Sequence, residues 1–557
     1  MLLSGADILV KTLIEQGCDT VFGYPGGQIL NVYDSLYTHQ DRINHILAAH
    51  EQGAAHAADG YARTTGKVGV VISTSGPGAT NLVTGIATAY LDSIPMIAIC
   101  GNVSTTQIGT DSFQELDITG VTLPITKHNY FVGSVEQLAD TIREAFVLAK
   151  SGRPGPVLID VPKDVQIAKW EYEPQPPAEK EAPHAAKDIR IEEAAKLVNA
   201  AKRPYIYFGG GVITANAQEE MLALAEKLDA PLGCSMMGLS AIPTDHPRFL
   251  GMQGMHGHYA SSMAMHNADL ILSLGVRFND RVTGNRAKFA TNAKIVHIDV
   301  DGSELCKTVH AACGLRGDVK LTLQKLLPLL EAGEKRSWTA QVNAFRKEEN
   351  EYLDNREGLT PRRAILTLNK YLGENTAVAT DVGQHQMWSA QNLFLRTPRR
   401  FVSSGGLGTM GFGLGAAIGA AFGTGERSVL VTGDGSFGMC LNELATAASY
   451  NVPVVVLIMN NGVLGMVRQW QTLFYNKHYS NTVLNRKTDF SALARAFGAD
   501  GEAVDTAQDL DAALAKAFRQ DGPYVIDCRI DKDEFVLPML PPGGSMDDII
   551  VKLEAPQ

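Results

Sequence analysis

The sequence predicts three doubly wound α/β domains with mostly parallel sheets. Short, largely apolar runs recur along its 557 residues, among them VVIS, MIAIC, VLIDV, SVLVTG and VVVLIM. Such runs suit strands buried on both faces. Between them lie longer stretches of helical periodicity, so strand and helix alternate, which is the pattern of a parallel sheet with crossover helices. The length allows about three or four domains at roughly 150 residues each, and a chain 45% hydrophobic and 20% charged can fill cores of that size.

The first domain is drawn over residues 1–165. Its strands are read in DTVFGYPG, INHILA, VGVVIS, PMIAICG and VLIDVP, with helices starting near Gln28 and Glu51 and another over Val135 to Ser151. Residues 166–189 are rich in Pro, Glu and Lys and read as a surface linker. The second domain, 190–335, carries PYIYFGGG, APLGCS, LILSLG and KIVHIDVD. A charged helical linker fills 336–359. The third domain, 360–557, contains AVATDVG, RFVSS, SVLVTGDG, PVVVLIMNN and YVIDCRID, and ends in a tail. The first and third units are similar enough to read as distant duplicates.

Net charge is −11 with no basic block, which argues against a nucleic-acid partner. No apolar run approaches the roughly 20 residues of a membrane span. The N-terminus reads as an amphipathic helix bearing Asp7 and Glu15, not as a targeting peptide, so the expected location is cytoplasmic. Seven scattered cysteines without a C-x-x-C pair read as buried small hydrophobes in a reducing compartment.

The stretch from Val431 to Asn461 carries the chemistry. One strand runs into Gly433-Asp434-Gly435-Ser436, and the next ends in Asn460-Asn461. In a parallel sheet both polar ends lie at the carboxyl edge, where open α/β sheets bind ligands. The glycines admit a phosphate, and the following helix offers it unpaired N–H groups. Asp434 and Asn461 are oxygen ligands suited to Mg²⁺ bridging to a diphosphate. A bare Gly-Asp-Gly is a common polar turn. Followed at this distance by Asn-Asn, it has the form of the thiamine diphosphate signature. In that setting Glu51, opening an alanine-rich helix, is the candidate partner for the aminopyrimidine N1′, though a helix-N-terminal Glu also suits the macrodipole alone.

Gly406 to Gly411 (GLGTMG) fits G-x-G-x-x-G but sits in mid-domain, where a dinucleotide fingerprint is not expected. It reads as a close-approach turn presenting the Gly408 carbonyl and Met410 to a cofactor ring. In the middle domain, Gly209 to Gly211, Arg277, Asp299 and Asp318 sit at strand ends or in the turns beyond them, either holding a dinucleotide or forming plain loops. Met466 and Trp470 share one helical face just after Asn461. Such a stripe is usually core, but its position favours pocket lining.

Over essentially its whole length the chain resembles the catalytic large subunits of acetohydroxyacid (acetolactate) synthase. The matching stretches include FGYPGG, AAHEQGAAHAADGYAR, STSGPGATN, FQELDITG, SGRPGPVLIDVPKDVQ, RFNDRVTG, DVGQHQMW, GGLGTMGFG, NNGVLGMVRQWQ and VLPMLPPGG. The resemblance implies pyrimidine-binding, FAD-binding and diphosphate-binding domains, and the cofactors thiamine diphosphate, Mg²⁺ and FAD. It makes Glu51 the N1′ partner and Asp434, Asn461 and the Val463 carbonyl the metal ligands. Gln384 and His385 would touch the diphosphate. Phe113, Gln114 and Lys163 would line the pocket, with Gln114 and Lys163 beside the chemistry. Arg153, Gly209 and Gly211 would contact FAD, Arg277 would hold the second substrate's carboxylate, and Trp470 would shape its pocket.

Three positions depart from the family pattern. Gln28 stands where a small residue is usual, next to the reacting centre. Asn279 replaces the first Asp of RFDDRVTG, and Gly438 replaces Gln or Met after GDGSF; sequence offers no physical account of the last. The implied reaction decarboxylates pyruvate and ligates the two-carbon unit to a second 2-ketoacid, pyruvate or 2-ketobutyrate, as in branched-chain amino acid biosynthesis. Related thiamine diphosphate enzymes with oxidase, decarboxylase, acetyltransferase or cyclic-dione hydrolase activity share the signature, and a flavin-binding protein without activity is a remoter alternative. Active sites between chains imply a homodimer or homotetramer, and the family allows a small regulatory subunit.

Overall fold

A computed structural model describes residues 1–179 and 181–552. Lys180, within the linker drawn from sequence, and 553–557, the end of the third domain as drawn, lie outside the described residues. Three separate six-stranded sheets, every pair in them parallel, form the frame. With crossover helices on their faces they make three α/β layers, as expected.

The first sheet runs in the order Asn44–Leu47, Thr20–Gly23, Gly69–Ser73, Met96–Asn102, Pro156–Pro162, His128–Phe131. The third runs Phe401–Val402, Ala377–Thr380, Ser428–Gly433, Val454–Asn460, Tyr524–Arg529, Asp500–Val504. Numbered within each sheet, both are wound 2-1-3-4-6-5. The middle sheet is wound 3-2-1-4-5-6, through Phe249–Met252, Leu232–Cys234, Pro204–Phe208, Leu270–Leu274, Lys294–Asp299 and Cys313–Arg316. In every sheet the winding reverses beside the first strand, the point at which open sheets of this kind leave a crevice at the carboxyl ends. Three such crevices position everything that follows.

The apolar runs occupy central strands and are buried throughout, as in Met96–Asn102 and Pro156–Pro162. The stretch 166–189 is not all coil. Lys169–Glu171 pairs antiparallel with Leu2–Ser4, so the N-terminal helix begins only at Gly5. The helix Arg336–Tyr352 buries Trp338, Val342 and Phe345 against the middle domain, and Trp338 Nε1 donates to the Pro204 carbonyl at 3.0 Å. Of the seven cysteines, six are buried as expected; Cys306 is exposed.

The most extensive helix pairing among the described residues joins Glu51–Thr65 to Gly413–Thr424. Backbone meets backbone along it. A Cβ at Gly60 would collide with the Ala416 carbonyl, one at Gly419 with the Ala57 carbonyl, and one at Gly415 would lie 2.6 Å from the Gly53 carbonyl oxygen. Only glycine permits that approach. The seam fixes the helix that begins at Glu51 against the one that follows Met410.

Candidate active site

In the third sheet, Ser428–Gly433 and Val454–Asn460 pair in register with Gly433 opposite Met459, so Asp434 and Asn461 leave the same edge. Asp434 opens one helical turn, Asp434–Phe437, and is buried. Burial pushes its carboxyl up to about 6, against the pull of backbone N–H groups that include those of Gly435 and Asn461. Asn461 Oδ1 accepts from the Val463 N–H at 3.2 Å, and its amide donates to Gln384 Oε1 at 3.3 Å. The Val463 carbonyl accepts no hydrogen bond among the described residues. One carboxylate, one amide oxygen and one free carbonyl make a hard-oxygen set that fits Mg²⁺. No cluster of three His, Cys, Asp or Glu that could hold a metal occurs among the described residues. The remaining ligands would therefore come from phosphate and water.

The helix Gln384–Asn392 begins at the crevice of this sheet. His385 is buried, held neutral by burial that takes its pKa down to about 3, and its Nε2 has no partner among the described residues. Its ring lies against Gly433, where a Cβ would come within 2.9 Å of Nδ1. A buried nitrogen left unpaired costs stability until a ligand's polar group meets it. Gln384, by contrast, is committed within the protein. Its amide donates to Gln469 Oε1 at 3.0 Å and to the Glu534 carbonyl at 2.7 Å, so it braces Asn461. Ser436 Oγ donates to the Val382 carbonyl at 3.0 Å, tying the turn to the crevice. Gly408 and Gly411 both have positive φ, at +70° and +88°, and the Gly411 N–H donates to buried Asp381 at 2.7 Å.

The crevice of the first sheet collects a second group. Glu51 is the first residue of its helix and is 9% exposed. Asn81 Nδ2 donates to its Oε2 at 2.9 Å, and the other oxygen faces Gly78. One carboxylate oxygen is thus fixed and the other left open. The Gln28 N–H donates to Thr74 Oγ1 at 3.3 Å, while its side-chain oxygen is buried without a partner among the described residues. Lys163 Nζ donates to the Gly27 carbonyl at 3.3 Å. Gln114, at φ +62°, packs over Gly76, and Phe113 beside it is 83% exposed.

A cleft of about 1930 Å³ opens on the middle sheet. That exceeds the roughly 300–1,000 Å³ of a drug-sized ligand pocket. Arg153, Gly211, Arg277, Asp299 and Asp318 line it, and it continues to Gly408, Met410, Met466 and Trp470. Gly209 does not line it; a Cβ there would press on the Gly275 carbonyl. Arg277 Nη2 donates to the Leu91 carbonyl at 2.5 Å, and burial followed by the nearby Arg153 lowers its pKa. Burial raises Asp299 to about 6. Asp318 caps the helix Val319–Leu326 through the Leu321 N–H. Asn279 caps Asp280–Thr283 by accepting from the Val282 N–H at 3.2 Å, so the amide does a cap's work without the charge. The Arg281 guanidinium lies 5.8 Å over the Trp470 ring.

The chain therefore gathers its candidates into three places, and the large cleft is lined by neither Glu51 nor Asp434. Sequence reasoning missed the residues that hold these groups. Asn81 and Asp381 are ordinary polar residues in sequence; only the fold shows them aimed at Glu51 and Gly411. Glu443 accepts from the Ala49 N–H at 3.2 Å, just before Glu51.

Three family models match the chain in order. They are the N-terminal TPP binding domain of thiamine pyrophosphate enzymes over residues 3–121, the central domain over 191–326 and the C-terminal TPP binding domain over 381–528. The probable acetolactate synthase large subunit of Methanocaldococcus jannaschii is 44% identical, covering 98% of this chain and 95% of its own. The acetolactate synthase isozyme 3 large subunit of Escherichia coli K12 is 43% identical over 98% of both chains. Isozyme 2 from the same organism is 44% identical over 99% of this chain and 100% of its own.

Proposed function

Since the chain belongs to the acetolactate synthase large subunits of the thiamine diphosphate enzymes, we propose that its crevices are two halves of one active site and a flavin cleft. The activity is acetolactate synthesis: pyruvate is decarboxylated and its two-carbon unit joined to a second 2-ketoacid. When bound, thiamine diphosphate supplies a ring that accepts the electron pair released as CO₂ leaves. The chain's own residues do the rest. Glu51, held through Oε2 by Asn81, keeps Oε1 free to share a proton with the aminopyrimidine N1′. Asp434, Asn461 and the Val463 carbonyl would hold Mg²⁺ against the diphosphate, with His385 Nε2 meeting a phosphate oxygen. Gly408 and Met410 would set the ring's position.

The observation that carries this reading is the placement of Glu51 and of Asp434 with Asn461 at equivalent edges of two identically wound sheets. A cytoplasmic homodimer or homotetramer would bring one chain's Glu51 to another's Asp434. Exposed apolar side chains flank both edges, Phe113 near one and Met439, 61% exposed, near the other. As the named relatives are large subunits, a small regulatory subunit is a further proposed partner. Incubation with pyruvate, thiamine diphosphate and Mg²⁺ tests the reading. Acetolactate is expected, whereas acetaldehyde or peroxide as the main product would point to a decarboxylase or oxidase.

FAD is the proposed occupant of the cleft. The middle sheet has the dinucleotide-binding order, with Gly211 and Arg277 at its reversal point and Arg153 alongside. The protein should purify yellow, and pyruvate should leave the flavin oxidised during turnover. A colourless protein of full activity would remove FAD from the assignment.

Acceptor choice follows from the walls of the cleft. Arg277 spends one nitrogen on Leu91 and keeps the rest of its fork for a carboxylate, a geometry Lys would not reproduce. Trp470 offers a flat apolar surface to the extra methyl of 2-ketobutyrate. One methylene in such a pocket is worth about 1–3 kcal/mol, or roughly 10–200-fold. In competition with pyruvate, 2-ketobutyrate should win as acceptor, and Trp470→Leu should lower that preference while sparing acetolactate formation. If the preference appears only in Gln28→Ala, Gln28 controls specificity. If it appears in neither, Trp470 does not select the acceptor.

A further inference from the structure

Gly438, which had no explanation in the sequence, faces Arg486. A Cβ at 438 would collide with Arg486 Nη1 and would also lie 3.3 Å from the Asp434 carbonyl oxygen. The glycine is therefore a notch in the Asp434–Phe437 turn, and the guanidinium fills it. The placement is built rather than incidental. The Leu464 N–H donates to the Thr482 carbonyl and the Leu484 N–H to the Gly462 carbonyl, each at 2.8 Å, framing a bridge between Val463 and Val483. Leu484 packs on Gly435. The segment bearing Arg486 is thus stitched to the loop that carries the candidate metal ligands.

Arg486 is exposed and makes no hydrogen bond or ion pair among the described residues. Across the same turn the buried Nε2 of His385 also lacks a partner among the described residues. An unpaired guanidinium and an unpaired imidazole nitrogen flanking one glycine turn point to an anion richer in oxygens than Asp434 alone provides.

We propose that Arg486, admitted by Gly438, is a direct binding residue for the diphosphate of the cofactor, adding a fixed positive charge to that of the metal. This rests on the cofactor site proposed above. A guanidinium suits the role because it is always charged and presents paired N–H donors to phosphate oxygens. Being exposed, it acts through a contact that salt screens.

Calorimetric titration of the full-length protein with thiamine diphosphate at fixed Mg²⁺ tests this without turnover. Arg486→Ala should bind about tenfold more weakly at low ionic strength, with the deficit shrinking as salt rises. Gly438→Gln, which fills the notch, should show the same loss, and the double variant should lose no more than either single one. Unchanged or tighter binding by Arg486→Ala overturns the inference, as does full additivity of the two substitutions. His385→Ala and Asp434→Ala separate the levels. If they lose binding while Arg486→Ala does not, only Arg486 is wrong. If they bind as the wild type does, the cofactor site itself is misplaced. Equal melting temperatures across the set exclude loss of folding as the cause.

Discussion

Glu51→Gln should fold as the wild type and lose about 10²–10⁴-fold in the rate at which bound thiamine diphosphate exchanges its C2 proton. The structure explains why the fold should survive. Glutamine is isosteric, and its amide oxygen can still accept the bond from Asn81 Nδ2 that fixes Oε2 at 2.9 Å. What it cannot do is share a proton from the position of Oε1, the oxygen facing Gly78. The substitution thus removes a proton-transfer group while keeping shape and one hydrogen bond. Exchange followed by NMR reads that step directly, before any ketoacid is added. Near-wild-type exchange would take Glu51 out of the mechanism, whatever happened to turnover.

A second large effect is expected at the opposite edge. Asp434→Ala should bind Mg²⁺ and thiamine diphosphate far more weakly, by more than the roughly 10–100-fold that follows loss of a mere supporting partner. Asp434 is the sole carboxylate in the proposed ligand set, beside an amide oxygen and a backbone carbonyl. Without it the diphosphate charge meets the metal on neutral ligands only. Its burial strengthens the argument, because a buried carboxyl pushed up to about 6 gains most from a cation that keeps it ionised. Titration of cofactor binding against Mg²⁺ decides it. An unaltered Mg²⁺ requirement would mean that the metal is held elsewhere.

The expectations for both edges came from patterns that sequence displays well. Gly433-Asp434-Gly435 and Asn460-Asn461 close central strands, and central strands read as near-continuous apolar runs. Two edge strands carry no such run. His128–Phe131 and Asp500–Val504 are mixed in character and only partly buried, and both went unread. Leu2–Ser4 hid inside an apparent helix because its partner, Lys169–Glu171, lies far along the chain. The site divides in the same way. The positions of Glu51 and Asp434 at helix starts beyond strand ends were legible because each lies in a local motif. The grip of Asn81 on Glu51, the bracing of Asn461 by Gln384 and the notch that receives Arg486 each join residues distant in sequence. No periodicity encodes such a meeting, since only the sheets' winding brings the partners together.

The glycine seam between Glu51–Thr65 and Gly413–Thr424 limits how this protein can change over time. Because each backbone rests on the other, a methyl added on one side has no side chain to push aside and must displace a helix. Any such displacement moves Glu51 and the turn around Met410 together. Sequence drift along the seam is therefore constrained as tightly as at the reacting centre, although Gly415 and Gly419 carry no chemistry of their own. On the assignment proposed above, adaptation to new ketoacids has freer ground at Gln28 and Trp470, where a side chain can vary without asking a helix to follow.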